Sequence, residues 1–331
     1  MKKTVLILLS FGMAGGAWAD SLPDPSGPQP AGDNTNSFSR DAAGFVQNLA
    51  SSQSGAQGAL NQVTNLGVSA MQQTVIDHIR AYLPTFELNT AFTQDGKPLF
   101  GALGVIPLGE VSPSGNAPFS QVSLFRTDGR TTVNLGIGDR QLLANERVLA
   151  GVNLFYDQEF PYNHQRASLG GELRTSVAEL NANWYQAISG WKINSDGIAE
   201  RAMGGEDAEV GLALPYMPKM RVYAKQFQWN AYDGIADVKG YTWSLKGEFT
   251  RWLTMEVGRT HYTSGADDAN FVSMNLDLIK LCQAPTADEP FFSDTAWQLT
   301  SMRSHLYDKV RRENLIQKQA GKGFTVSAVG N

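Results

Sequence analysis

From Thr85 onward the apolar residues recur at every second position, and that period limits what the chain can fold into. In residues 132–140, Val133, Leu135 and Ile137 alternate with Thr132, Asn134, Gly136, Gly138 and Arg140. Side chains of a strand point alternately to opposite faces, so one face here is apolar and the other polar or bare. The alternation recurs with Val148, Ala150, Val152, Leu154 and Tyr156 against Gly151, Asn153 and Asp157. It continues through Leu169 and Leu173, Leu180 to Trp184, Ala208 to Leu214, Tyr241 to Phe249, Leu253 to Val257, and Val272 to Leu278. Weaker cases begin at Phe86, Leu99, Ser120 and Arg221. Twelve strands are counted between Thr85 and Lys280. The fold class expected is therefore all-β.

Two all-β architectures alternate in this way. In a soluble sandwich the polar face meets water; in a transmembrane barrel it lines a lumen. The connections favour the barrel. Residues 141–148, 175–177, 215–220 and 250–253 make shorter turns at one end, and 157–165, 190–205, 230–238 and 263–269 make longer Gly/Asp-rich loops at the other. That is the layout of an outer-membrane barrel with its short side in the periplasm, and an even strand count puts both barrel ends there. Trp184, Trp191, Trp229, Trp243 and Trp252, with Tyr185, Tyr223 and Tyr241, are expected to form an aromatic girdle; the alternative is that the rings fill a sandwich core. Composition agrees with a barrel. The 331 residues are 42% hydrophobic and 18% charged, with a mean hydropathy of -0.25. Beyond the first twenty residues no run approaches the roughly 18 apolar residues of a membrane helix. A net charge of -5 argues against nucleic acid as a partner. The single Cys282 excludes an intrachain disulfide and a Cys-rich zinc site.

The N-terminal residues point to export. Lys2 and Lys3, an apolar stretch over 5–13 and Ala17-Trp18-Ala19 read as a signal peptide, residues 1–19. Residues 20–39 are rich in Pro, Gly, Ser and Asn and read as a linker. From 41 to 82, Phe45, Leu49, Leu60, Val63, Val68, Met71, Val75, Ile79 and Tyr82 recur at helical spacing until Pro84. Residues 20–84 are thus expected to be a short helical periplasmic segment, packing on the strands C-terminal to it or offering a coiled-coil surface.

Several motifs, in order, carry a resemblance. Arg130-Thr-Thr-Val-Asn-Leu-Gly-Ile-Gly-Asp-Arg140, Ala150-Gly-Val-Asn-Leu-Phe-Tyr-Asp157, Ser168-Leu-Gly-Gly-Glu172 and Ile188-Ser-Gly-Trp191 resemble the barrel of the inverse autotransporters, the intimin and invasin family. Glu200-Arg-Ala-Met-Gly-Gly-Glu-Asp207, Leu214-Pro-Tyr-Met-Pro218 and Leu306-Tyr-Asp-Lys-Val-Arg-Arg-Glu-Asn314 extend the match over residues 85–319. The resemblance implies a twelve-stranded antiparallel transmembrane β-barrel over 85–280, type V secretion, and a linker entering the pore to display an adhesive passenger. Residues 320–331 are too few for an immunoglobulin-like domain of roughly 100 residues, so a barrel without a passenger is expected. Outer-membrane lipid, the barrel-assembly machinery and periplasmic chaperones are the expected partners, and no surface ligand can be identified. The alternative function is a stand-alone pore or structural barrel.

By alternation, Arg166, Glu172, Arg174, Glu179, Asp207, Glu209, Lys246, Glu248 and Glu256 face the lumen, a mainly acidic lining. Residues 281–331 form a basic linker, and Arg303, Lys309, Arg311, Arg312 and Lys318 within it are expected to plug that lining; the alternative is a solvated periplasmic tail. Catalysis is not expected. His78, His164, His261 and His305 lack metal-ligand spacing, and no nucleophile elbow, P-loop or dinucleotide fingerprint is present. A rim site built from His164, His261, Asp267 and Asp268 is the weaker reading. No cofactor or metal is called for.

Overall fold

The computed structural model describes residues 82–93, 97–282, 290–321 and 323–325. The signal peptide expected at 1–19 lies outside them, as does the helical spacing read over 41–81. Seven strands run in order: β1 (Thr85–Thr93), β2 (Leu99–Pro107), β3 (Asn116–Thr127), β4 (Arg130–Leu143), β5 (Val148–Phe160), β6 (His164–Arg174) and β7 (Ala178–Ala187). Short strands β8 (Lys192–Ile193) and β9 (Ala199–Ala202) interrupt them. Then come β10 (Gly204–Leu214), β11 (Met217–Asn230), β12 (Val238–Thr250), β13 (Leu253–Ser264) and β14 (Ala269–Asp277). A single helical turn, α1 (Leu278–Leu281), ends the run, capped by the Asp277 side chain on the Lys280 amide.

All but β8 and β9 form one closed antiparallel barrel in which each strand pairs with its neighbours in sequence. The ring shuts where β1 pairs with β14, from Glu87 opposite Asp277 to Thr93 opposite Phe271. Closure leaves no unpaired edge, and lipid permits a spanning sheet only on that condition. The two faces fall as the alternation requires. Leu135, Val152, Leu169 and Val210 are exposed on the outside, whereas Asn134, Asp157, Arg166 and Glu209 are buried inside. A one-residue slip in register would exchange the two sets.

The expected contrast in connection length is weaker than the sequence suggests. Residues 157–165, read as a long loop, are the end of β5 and the start of β6 joined by the turn 161–163, with Asn163 at φ 59°. Asp157 and Glu159 have polar character but are buried as inward strand residues, and partners inside the barrel carry the strand past them. Residues 141–148 are likewise half strand, with Ala144, Asn145 and Glu146 at positive φ in the turn 144–147 between β4 and β5. The extended connection is 188–203, between β7 and β10, and it holds the hairpin of β8 and β9.

We call the end where β1 begins and β14 ends the near end, and the end carrying β8 and β9 the far end. Past α1 the described chain resumes at residue 290. It ends its course in β15 (Lys318–Ala320) and β16 (Gly323–Thr325), which join β9 and β8 in a second, four-stranded sheet. Lys318 lies opposite Ala202 and Ala320 opposite Glu200. The linker has therefore passed from the near end of the barrel to the far end.

Candidate functional site

The site is the contact between the lumen wall and the linker inside it. It begins at the near end with a strap. Backbone bonds tie Ser293 and Ala296 to Tyr216 in the turn between β10 and β11, and the Met302 amide donates to the Glu146 carbonyl at 2.7 Å. Ser176, in the turn between β6 and β7, donates its hydroxyl to the Gln298 carbonyl at 2.8 Å. The Glu146 carboxylate takes Ser301 Oγ at 2.8 Å and Arg303 Nε at 2.9 Å. These bonds, those from Arg303 first, hold the Glu146 carboxyl below its ordinary range.

Past the 3₁₀ turn Arg303–His305 the linker enters the barrel, where apolar side chains seat it. Met302 and Leu306 pack with Ala117, Leu142 and Leu149. Higher up, Val310 and Leu315 join Leu103, Phe119, Phe125 and Phe155. The wall also meets the linker backbone, whose amides and carbonyls have no sheet partner here and must be satisfied. Arg140 donates to the carbonyls of Leu306 at 2.8 Å and Asp308 at 2.6 Å. Thr85 serves the Tyr307 carbonyl, Asn183 that of Arg311 and Asn134 that of Asn314. The Gln121 side-chain oxygen accepts from the Val310 amide at 2.9 Å. The Tyr185 hydroxyl accepts from the Glu313 amide and donates to Asp207, both at 2.7 Å.

Charge pairs run the length of this path. Lys309 meets Glu87 at 3.0 Å, and Asp308 meets Arg174 at 3.1 Å. Arg311 reaches Glu209 at 2.5 Å and Glu256 at 3.4 Å. Arg312 forks onto both oxygens of Asp157 at 3.0 and 2.7 Å and reaches Ser168 at 3.0 Å. Arg166 holds the same Asp157 at 2.9 Å. Lys318 closes the series on Glu159 at 2.5 Å. Arg130 then links Glu159 and Glu200 at the far end, at 3.1 and 2.8 Å. Arg312 and Asp157 are both fully enclosed, so their attraction escapes the screening that weakens a surface pair.

Two glycines explain how the cations fit. Gly136 lies opposite Phe155 and Gly211 opposite Tyr223. A Cβ on Gly136 would stand 2.2 Å from the Phe155 ring, and one on Gly211 would stand 2.4 Å from the Tyr223 ring. Each ring lies across its glycine, flat on the wall, with its face toward the linker. Arg312 sits 4.3 Å from the Phe155 centroid and Arg311 3.8 Å from that of Tyr223, within range of cation–π attraction. A cavity of about 20 Å³ between the linker and Asn89, Thr90 and Ser273 on β1 and β14 has room for about one water.

Most of the residues singled out from sequence meet in this lumen. Arg166, Glu172, Arg174, Glu179, Asp207, Glu209 and Glu256 are buried inside the barrel. Lys246 is half-buried on the same face of β12, and Glu248 is exposed near the end of that strand. Lys309, Arg311, Arg312 and Lys318 of the linker meet acids within the lumen. Arg303 does not; it stays at the near-end rim on Glu146, with its side chain 52% exposed.

The aromatic girdle needs correction. Trp184 and Trp243 face outward, and Trp191, in the far-end connection, stands edge-on to Tyr232. Trp252 is half-buried in the turn between β12 and β13. Trp229 is buried inside the barrel, its ring 5.2 Å from Tyr185 and 6.3 Å from Phe227. Tyr185 and Tyr223 also face inward, to the linker. Asp157, Glu159, Glu87, Arg140, Asn134 and Gln121 were missing from the expected site. The available signal was an inward glycine opposite an aromatic ring, together with polar residues on the lumen side of the alternation.

The inverse autotransporter beta-domain family matches residues 38–314. A putative attaching and effacing protein homolog of Escherichia coli strain K12 is 36% identical over 107 residues, 32% of this chain and 36% of that protein. The invasin of Yersinia enterocolitica is 32% identical over 104 residues, 31% of this chain and 12% of that protein. The intimin of Citrobacter freundii is 35% identical over 104 residues, 31% and 11% of the two. The matches thus span about a third of the first relative's length and about a tenth of the other two. A solved structure from "Unveiling the Mechanism Behind the in-meso Crystallization of Membrane Proteins" superposes with a TM-score of 0.58 at 21% identity, covering 71% of this chain and 99% of that one, and shares the fold. The chain belongs to the inverse autotransporter beta-domain family and is a translocator barrel of the bacterial outer membrane.

Proposed function

We propose that the barrel holds its linker as a fixed, sealing thread, with the near end in the periplasm and the far end at the cell surface, so that sequence beyond Thr325 emerges outside. The observation that carries this is the pairing of β15 with β9 at the far end in a chain whose Arg303 is still held by Glu146 at the near end. An epitope fused after Asn331 should react with an impermeant label on intact cells; label reaching it only after the outer membrane is opened would overturn the proposal. The stand-alone pore is disfavoured by the packing and charge pairs that fill the lumen. Deleting residues 300–331 should turn a closed barrel into a persistent channel in planar bilayers, whereas unchanged conductance would remove the sealing role.

A link to adhesion or invasion enters through the likeness to intimin and invasin alone, with a surface ligand still to be identified by binding assays on whole cells. Assembly by periplasmic chaperones and the barrel-assembly machinery is part of the same reading, since β1 and β14 must be brought together across the whole strand series before the seam closes. The reading includes no catalytic role. It is supported by the enclosure of His164 beside Glu200 at 3.5 Å, while His261 bonds the separate acid Asp268. Turnover of peptide or phospholipid that is lost in His261→Ala would sink it.

A further inference from the structure

Beyond Lys318 the far mouth holds the chain by shape as well as by charge. Phe227, Trp229, Val238 and Tyr262 belong to a buried apolar cluster there, and Tyr232 and Phe324 pack against it. Phe227 stands edge-on to Tyr262 at 5.6 Å. Phe324 comes from β16, whereas the others belong to β11, β12, β13 and the connection between β11 and β12. Gly265, at φ 90°, leaves the half-buried ring its room: a Cβ there would stand 3.2 Å from the Phe324 ring and 2.7 Å from Val238.

The exit segment is also bonded in place. The Met203 amide donates to the Gln317 carbonyl at 2.8 Å, and the Gly321 amide to the Ala199 carbonyl at 2.9 Å. The enclosed Gln319 side chain accepts the Tyr232 amide on Oε1 at 2.7 Å and donates from Nε2 to the Gly321 carbonyl at 3.2 Å. Tyr232 is itself braced on β9, its hydroxyl donating to the Ala202 carbonyl at 3.1 Å and its ring centroid 3.7 Å from the Arg201 guanidinium. The Ala231 amide donates to Asp237 at 3.1 Å, which ties the same connection to itself. These braces all lie ahead of the linker in the chain, so the frame holds itself and the exit segment docks on it.

Register decides where tension enters. Thr325 lies opposite Lys318 and Gly323 opposite Ala320, so a pull from beyond Thr325 meets the open end of the β15–β16 hairpin. Ladder bonds loaded from that end break one after another, and the seat of the Phe324 ring is the contact that resists first. With the ring unseated, the load passes to Gln319 and then to the lumen pairs that begin at Lys318.

We propose that the far mouth is a binding site for the chain's own exit segment, residues 317–325, read through Gln319 and Phe324, and that it locks the thread by taking load ahead of the lumen. The lock deepens the sealing-thread reading and rests on it. Pulling reads the lock whichever side the far end faces, whereas the epitope label and the conductance test that reading separately.

The purified full chain, carrying a C-terminal tag and held in lipid nanodiscs, is pulled from the tag by atomic force spectroscopy. Wild type should show an early rupture that releases about 3 nm, the nine residues 317–325 extended at about 3.5 Å each, before the events of the lumen. Gln319→Ala with Phe324→Ala should lose that early event and keep the later ones. Phe324→Leu, which keeps an apolar side chain in the seat, should retain it at lower force. Heat-modifiable gel mobility confirms that each variant is folded. No separate early event in wild type, or the same event in the double variant, would overturn the lock. Loss of the later events together with the early one would overturn it as well, by assigning Gln319 and Phe324 to the lumen grip.

Discussion

Arg303 on Glu146 and Arg312 on Asp157 are the same chemical pair in two surroundings. The first sits at the near-end rim, with its side chains 52% and 36% exposed; the second is wholly enclosed in the lumen. At the rim, water and salt already solvate both charges, so the pair positions the strap without holding it strongly. In the lumen neither charge has water to return to, and losing one partner strands the other. The linker is thus guided at its entrance and gripped in the middle.

The largest effect should come from breaking the grip. Arg312→Ala should loosen the linker by an amount toward the lower end of about 3–5 kcal/mol, because Arg166 stays on Asp157. Frequent channel openings in planar bilayers and new protease cleavage near residue 312 would show it; a silent barrel would show that the apolar contacts of Val310 and Leu315 suffice. Next comes the ring under that cation. Gly136→Ala pushes the Phe155 ring off the wall and should cost about 1–3 kcal/mol by overpacking, read from denaturant unfolding in detergent. Gly136→Ala combined with Phe155→Leu should recover most of it, since the smaller side chain frees the space.

The rim variant should matter least. Arg303→Ala should leave conductance unchanged, and any loss of strap protection in hydrogen exchange should vanish in high salt. The rim contact also depends on pH. Hydrogen bonds hold Glu146 below its ordinary range in the folded protein, so its contribution is full above the unfolded carboxyl value and falls away as pH drops through the lower folded value. Exchange at residues 301–303 should therefore rise below about pH 4, the ordinary carboxyl range, and stay flat above it. A rise nearer neutral pH would assign the effect to another group.

The barrel was legible because alternation is a local property. Leu135 and Asn134 announce their faces whatever strand lies beside them, and the basic run from Lys309 to Lys318 stood out against an acidic wall. The faces of the aromatic residues were not legible. Trp229 and Trp243 have the same composition of apolar ring and polar tip, and either face of a barrel accepts it: the lumen offers a stacked cluster, the outside a lipid interface. Strand ends were hidden for a related reason. Asp157 and Glu159 look like loop residues until Arg312 and Lys318, arriving from far along the chain, supply their charges.

By itself, then, the sequence determined the period, the two faces and the sign of charge on wall and linker, because each depends on residues within a few positions of one another. Only the tertiary structure decided which acid meets which base, which rings turn inward and where the linker leaves. Those outcomes require the β1–β14 seam to be closed and the linker inside it, and pairs such as Arg312 with Asp157 come into reach only once the enclosed, water-poor lumen exists.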